Sequence, residues 1–82
     1  MHLGKGVSVR KEDVVLLADL TRPLGADTRR LLEALREKGQ LRQLDPEPQT
    51  LALMHSEGRD WAVLTGVGLR TLRQRAADAG RW

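Results

Sequence analysis

Few side chains in this sequence could pair as a serine or cysteine nucleophile with a histidine base. They are two histidines, His2 and His55, and two serines, Ser8 and Ser56, and there is no cysteine. No spacing joins a serine nucleophile to a histidine base and an orienting acid, so no catalytic constellation is read. Nor do the histidines stand beside an acid cluster at zinc-site spacing, so both are taken as structural or exposed residues and no metal is expected. Gly4 and Gly6 are turn glycines rather than a phosphate loop, because no helix and no Lys-Ser/Thr pair follows them. Thr65-Gly66-Val67-Gly68 does precede a helical stretch. Its backbone N–H groups could meet an anion, and it reads equally as a plain strand-to-helix connection. The expectation is a non-enzymatic chain without a cofactor.

The chemistry that remains is that of arginine. Eleven arginines stand against three lysines, and the net charge is +3. Arginine holds phosphate and carboxylate in a forked geometry and is favoured at interfaces and on nucleic acid. A coding preference for arginine would give the same count. Residues 1–11 carry Lys5, Arg10 and Lys11 without an acid, and residues 61–82 carry four arginines against Asp78. Between them, residues 12–44 balance and residues 45–60 are acidic. Arg70 and Arg73 fall on one face of the last helical stretch with Gln74, and Arg75 lies at its flank. Lys5, Arg10, Lys11, Arg70 and Arg73 are therefore the candidate nucleic-acid contacts. No recognition helix is evident for reading base edges. Trp61, in mid-strand, and Trp82 are too few for a stacking platform on single strands, and Trp61 is read as a core or subunit-interface residue.

These residues must be positioned by a very small domain. Eighty-two residues make one domain, 1–82, with little apolar surface to bury. Without disulfides or a metal, the expected supplement is oligomerisation. No run is long enough to span a membrane, and no secretory hydrophobic region stands at the N-terminus, so a cytoplasmic protein is expected.

Leu3 to Val9 reads as a glycine-turned ribbon. Val14 to Asp19, apolar almost throughout, reads as a central strand buried on both faces. Asp27 is the expected N-cap of a helix running to about Lys38, with Thr28, Leu31, Leu32 and Leu35 on its apolar stripe and Gly39 as its stop. Glu33 is spaced for weak pairs with Arg29 and Arg36. Leu41–Leu44 is a short strand, and Asp45-Pro46-Glu47-Pro48 a stiff loop. Thr50–His55 and Asp60–Leu64 are strands around a Gly58-bearing hairpin turn. A second helix follows with Leu69, Leu72, Ala76 and Ala79 as its stripe. The order β-β-α-β-β-β-α gives an α+β fold with a mostly antiparallel sheet and two helices.

The opening, His2-Leu3-Gly4 followed by Val7-Ser8-Val9 and Val14 to Asp19, resembles the start of the RemA/RemB group, extracellular matrix regulatory proteins of spore-forming bacteria. Glu47-Pro48-Gln49-Thr50-Leu51-Ala52-Leu53 is similar to the proline-bearing strand entry of the RemB branch. Thr71-Leu72-Arg73-Gln74-Arg75-Ala76 is similar to that branch's closing helix, and Asp13 and Asp19 stand where that branch has aspartates. The likeness runs from His2 to about Ala76. It implies a β-rich subunit that assembles into a ring and a transcriptional regulator of biofilm matrix genes that binds double-stranded DNA along a repeated basic surface. Where the RemA branch carries arginines, this chain has Asp13 and Glu47-Pro48, and Gln49 replaces a lysine common in RemB. Those departures favour a different expectation, a ring-forming adaptor that contacts a protein partner rather than DNA.

Overall fold

The computed structural model describes residues 1–79. Arg81 and Trp82, counted above, lie outside the described residues. The chain runs β1 (His2–Gly4), β2 (Val7–Ser8), a 3₁₀ turn (Lys11–Asp13), β3 (Val14–Asp19), α1 (Ala26–Glu37), β4 (Leu41–Gln43), β5 (Thr50–Ser56), β6 (Arg59–Thr65) and α2 (Leu69–Ala79). The fold is α+β, as the sequence suggests. The N-terminal ribbon resolves into two short antiparallel strands of its own, so the order gains one strand.

The main sheet has four strands in the order β3-β5-β6-β4. β5 pairs antiparallel with both β3 and β6, and β4 pairs parallel with β6. The sheet is thus mixed. Its centre is the β5–β6 hairpin, because a two-residue turn, Glu57-Gly58, returns the chain directly. Both turn residues have positive φ, 53° and 75°, as a type I′ turn requires.

Val14–Asp19 is therefore not a central strand. β3 and β4 occupy opposite edges of the sheet, joined through α1. An unbroken apolar run does not distinguish burial on both faces from an apolar edge, and here the edge is the outcome. A register shift between Val14 and Leu16 marks a bulge. Val15 is 65% and Leu16 43% exposed, whereas Leu17 and Ala18 are half-buried.

Strand alternation sorts the apolar residues onto two faces. Ala52, Met54 and Val63 join Leu3 of the ribbon and Leu72 of α2 in one cluster, with Val14 and Leu17 against it. Leu51, Ala62 and Leu64 join Leu35 of α1 in the other, with Leu31 and Leu32 against it. The result is three layers, with α1 on one face and the ribbon with α2 on the other. Leu3, Leu51 and Leu72 are fully buried.

The helix termini follow different rules. At the end of α1, the Gln40 N–H donates to the Leu35 carbonyl at 2.8 Å and the Gly39 N–H to the Arg36 carbonyl at 3.1 Å. Gly39 has φ 72°. This is a Schellman cap, whose left-handed position glycine adopts without a Cβ penalty. The start differs from expectation. Gly25, not Asp27, is the N-cap, with no side-chain bond, and its carbonyl accepts the first helical bond from the Arg29 N–H. Asp27 lies inside the first turn, where its charge faces the positive helix end, and it sits 3.8 Å from Arg30. That is the only ion pair within α1; the pairs expected of Glu33 do not form among the described residues.

Two buried threonines connect the layers. Thr50 and Thr65 face each other across β5 and β6, fully buried. The Thr65 hydroxyl donates to the Leu3 carbonyl at 2.6 Å and accepts from the Val67 N–H at 3.1 Å. The Thr50 hydroxyl donates to the Val67 carbonyl at 2.8 Å. Replacing Thr65 by Val keeps the shape and strands the Leu3 carbonyl and the Val67 N–H. Unpartnered buried groups cost about 1–3 kcal/mol each. Urea unfolding of Thr65→Val is expected to show a loss of about that size with an unchanged m-value. An equally stable variant would mean these bonds carry no net stability.

Candidate nucleic-acid interface

The five candidate contacts occupy one layer of the molecule. Lys5 stands at the tip of the ribbon turn, and Arg10 and Lys11 stand at the entry to the 3₁₀ turn; all three are exposed. Arg70 and Arg73 are exposed on α2. The ribbon and α2 pack together through Leu3 and Leu72. The Arg75 guanidinium joins them further by donating to the His2 carbonyl at 2.9 Å. Two clusters distant in sequence are thus brought into the same layer, and Arg75 is spent on holding that layer together.

The turn that presents Lys5 is built for display. Gly4, Lys5 and Gly6 all have positive φ, at 106°, 51° and 77°. Lysine in the left-handed region costs about 1–2 kcal/mol. The flanking glycines take the neighbouring strained positions, and a Cβ on Gly4 would lie 3.2 Å from the Val67 Cγ2.

Charge divides between the layers. Residues 1–13 and 66–79 carry Lys5, Arg10, Lys11, Arg70, Arg73 and Arg75 against Glu12, Asp13 and Asp78, a net of +3. α1 carries Arg29, Arg30 and Arg36 against Asp27, Glu33 and Glu37, a net of zero. Within the basic layer Arg10 lies 3.6 Å from Glu12, with both groups exposed. Lys5, Lys11, Arg70 and Arg73 make no ion pair among the described residues. An exposed pair such as Arg10–Glu12 is worth little in water and opens readily.

The other candidate sites do not assemble. His55 Nδ1 lies 2.7 Å from Asp60 Oδ1 on the exposed end of the hairpin. His2 is exposed on β1. No group of three or more His, Asp or Glu side chains converges as metal ligands among the described residues. The Thr65–Gly68 segment is a connector. The Val67 N–H is taken by Thr65, and the Asp45 carboxylate lies so close to Gly66 that a Cβ there would sit 2.6 Å from Oδ2. A carboxylate in that place repels an anion. The Asp45–Gln49 loop itself is held by the Asp45 Oδ1, which accepts from the Glu47 N–H at 3.0 Å, and Glu47 and Gln49 are exposed. Trp61 is 37% exposed on β6, so it is not a core residue of the single subunit. No described helix is long and apolar enough to cross a membrane.

Sequence reasoning missed the turn that closes β3. Asp19 Oδ1 accepts from both the N–H and the hydroxyl of Thr21, at 2.9 and 2.6 Å, and Arg22 stands 3.9 Å from Oδ2. The Asp-x-Thr spacing is the signal that could have found it. The Thr21 hydroxyl, then the Thr21 N–H, hold the Asp19 carboxyl below the ordinary aspartate range. The Glu12 carboxyl is held low as well, chiefly by a backbone N–H bond.

No protein-family model matches this chain, and no curated protein matches it.

The lowered carboxyls set the sign of the acid response. A depressed folded-state value contributes stability that is complete above the ordinary carboxylate range and is lost as pH falls through the depressed value. Thr21→Ala removes the hydroxyl donor. Its Asp19 carboxyl, followed by NMR titration, is expected to protonate at a higher pH than in the wild type. Coincident titrations would show that the hydroxyl does not hold the carboxylate.

Proposed function

We propose that this protein is a non-enzymatic DNA-binding regulator that acts as a ring-shaped homo-oligomer through repeated phosphate contacts. The observation that carries the reading is the charge asymmetry. Lys5, Arg10, Lys11, Arg70 and Arg73 are exposed in one layer with a net charge of +3, and the α1 layer is neutral. A cationic surface without a recognition helix binds phosphate, not base edges. A single copy offers few contacts, and repetition around an oligomer multiplies them. The resemblance to the RemB branch supports the same reading and points to transcription of extracellular matrix genes in the cytoplasm. The ribbon is the favoured contact, because its turn projects Lys5 and the following residues outward, whereas α2 gives Leu72 and Arg75 to packing.

A second reading is favoured by one feature. The loop at Glu47-Pro48 presents an exposed acid where the RemA branch presents arginines. An adaptor ring that binds a protein partner fits that surface better than one that binds DNA.

A gel-shift series over increasing salt separates the two. Removing one phosphate-binding cation reduces the log–log salt slope by about 1. Neutralising Arg10 and Lys11 to Gln is expected to weaken binding to random and promoter DNA alike and to flatten the slope. Loss of binding with Arg70 and Arg73 substitutions alone would move the site to α2. Indifference to both sets, or no binding by the wild type, would favour the adaptor.

A further inference from the structure

The two helices cover opposite halves of the sheet, and this leaves two apolar corners open at opposite edges. α1 packs over β6 and β4 on its face, and α2 packs over β3 and the ribbon on the other. On the α1 face the corner left open is at β3, where Leu16 is exposed beside the bulged Val15. On the α2 face the open corner is at β4. There an apolar groove of about 440 Å³ is lined by Val7, Leu41, Arg42, Met54, Trp61 and Val63. The three exposed large apolar side chains of the described residues, Val15, Leu16 and Trp61, all sit at these two corners.

The edges are also complementary in charge and level. β3 carries one charge, Asp19, after the neutral segment Arg10-Lys11-Glu12-Asp13; β4 carries one charge, Arg42. Arg42 is exposed and makes no ion pair among the described residues. Cross-strand register places Val14, Met54 and Trp61 in one row, and Leu17, Ala52, Val63 and Arg42 in the next row on the same face. Both β3 and β4 run in the same sense as β6. If the β3 edge of one copy is set beside the β4 edge of another with rows aligned, Val15 comes level with the Trp61 end of the groove. Asp19 then lies on the same face as Arg42 and within reach of its long side chain. The α2 of the first copy extends over the groove, and the α1 of the second extends over Leu16. Each open corner meets the covered corner of its neighbour.

We infer that the β3 edge and the β4 groove are the two halves of a head-to-tail interface between copies of this chain, with the Val14–Val15 end of β3 level with Trp61 and Asp19 on the face of Arg42. The inference rests on the reading of the protein as a homo-oligomer and names the surface that builds it. The contact is heterologous, so its repetition closes into a ring or continues as a filament. An edge with few charges and exposed apolar side chains is the kind that pairs with another chain.

The test exploits the two unlike halves. Val15→Glu spoils one edge and leaves the groove intact; Trp61→Glu spoils the groove and leaves the edge intact. By light scattering at micromolar concentration the wild type is expected to exceed a dimer. Each variant alone should run as a monomer near 9.2 kDa, and their equimolar mixture should double that mass. Far-UV circular dichroism checks that each variant is folded, and the exposed Arg42→Glu replaces Trp61→Glu if the latter is not. An assembled wild type whose variants remain fully assembled overturns this interface and leaves the oligomeric reading standing. Monomeric variants that stay monomeric on mixing overturn the head-to-tail geometry. A monomeric wild type overturns both the interface and the oligomer.

Discussion

Thr50 and Thr65 hold a position that apolar residues of their size could not hold. Their side chains are buried at the open end of the β5–β6 hairpin, and each hydroxyl donates its proton to a backbone carbonyl outside the main sheet, Thr65 to Leu3 and Thr50 to Val67. The ribbon and the β6–α2 connection are both referred to this one pair. Hydrogen bonds made away from water are costly to break because the freed groups find no substitute. The backbone continues the same clasp: the Gln49 N–H donates to the Thr65 carbonyl, and the Leu20 N–H to the Gln49 carbonyl. The basic layer is thereby fixed to the sheet at a polar point as well as by the contact of Leu3 with Leu72. Every buried side-chain polar atom among the described residues has a partner, so the arrangement leaves no uncompensated group behind.

Much of this fold is legible in the sequence where a residue has one physical use. Gly39 ends α1 and Gly58 turns the hairpin because each occupies a left-handed position. The stripe of Leu31, Leu32 and Leu35 faces the sheet as its spacing requires. Legibility fails where one pattern serves two outcomes. The run Val14 to Ala18 is compatible with a buried centre or an apolar edge, and only pairing partners decide between them. The aspartate two residues into α1 has the chemistry of a cap, yet Gly25 supplies the carbonyl that the helix needs. The threonine clasp is illegible in principle, since isolated threonines in strands are ordinary and only the fold brings them opposite each other.

The candidate interface divides in the same way. That Lys5, Arg10, Lys11, Arg70 and Arg73 are solvent-facing follows from their chemistry, because cations are left outside unless paired. That two clusters separated by most of the chain share a layer is a product of topology. Nor does counting charge foresee that Arg75 is withdrawn from the surface set. Its bond to the His2 carbonyl makes it a strut between the segments that carry the other five. The same topology staggers α1 and α2 to opposite edges, and so decides where apolar surface is left over.

The Lys5 turn shows a conflict between durability and display. A glycine or asparagine at this position would relax the left-handed backbone by about 1 kcal/mol. A search for stabilising substitutions would select such a change early, since nothing packs on the side chain and the turn would only become easier to form. The stabilised protein would present a neutral knuckle where a cation now stands. Thermal robustness and surface potential therefore pull this residue in opposite directions, and a variant chosen on melting temperature alone would have been chosen against the positive field of its own ribbon.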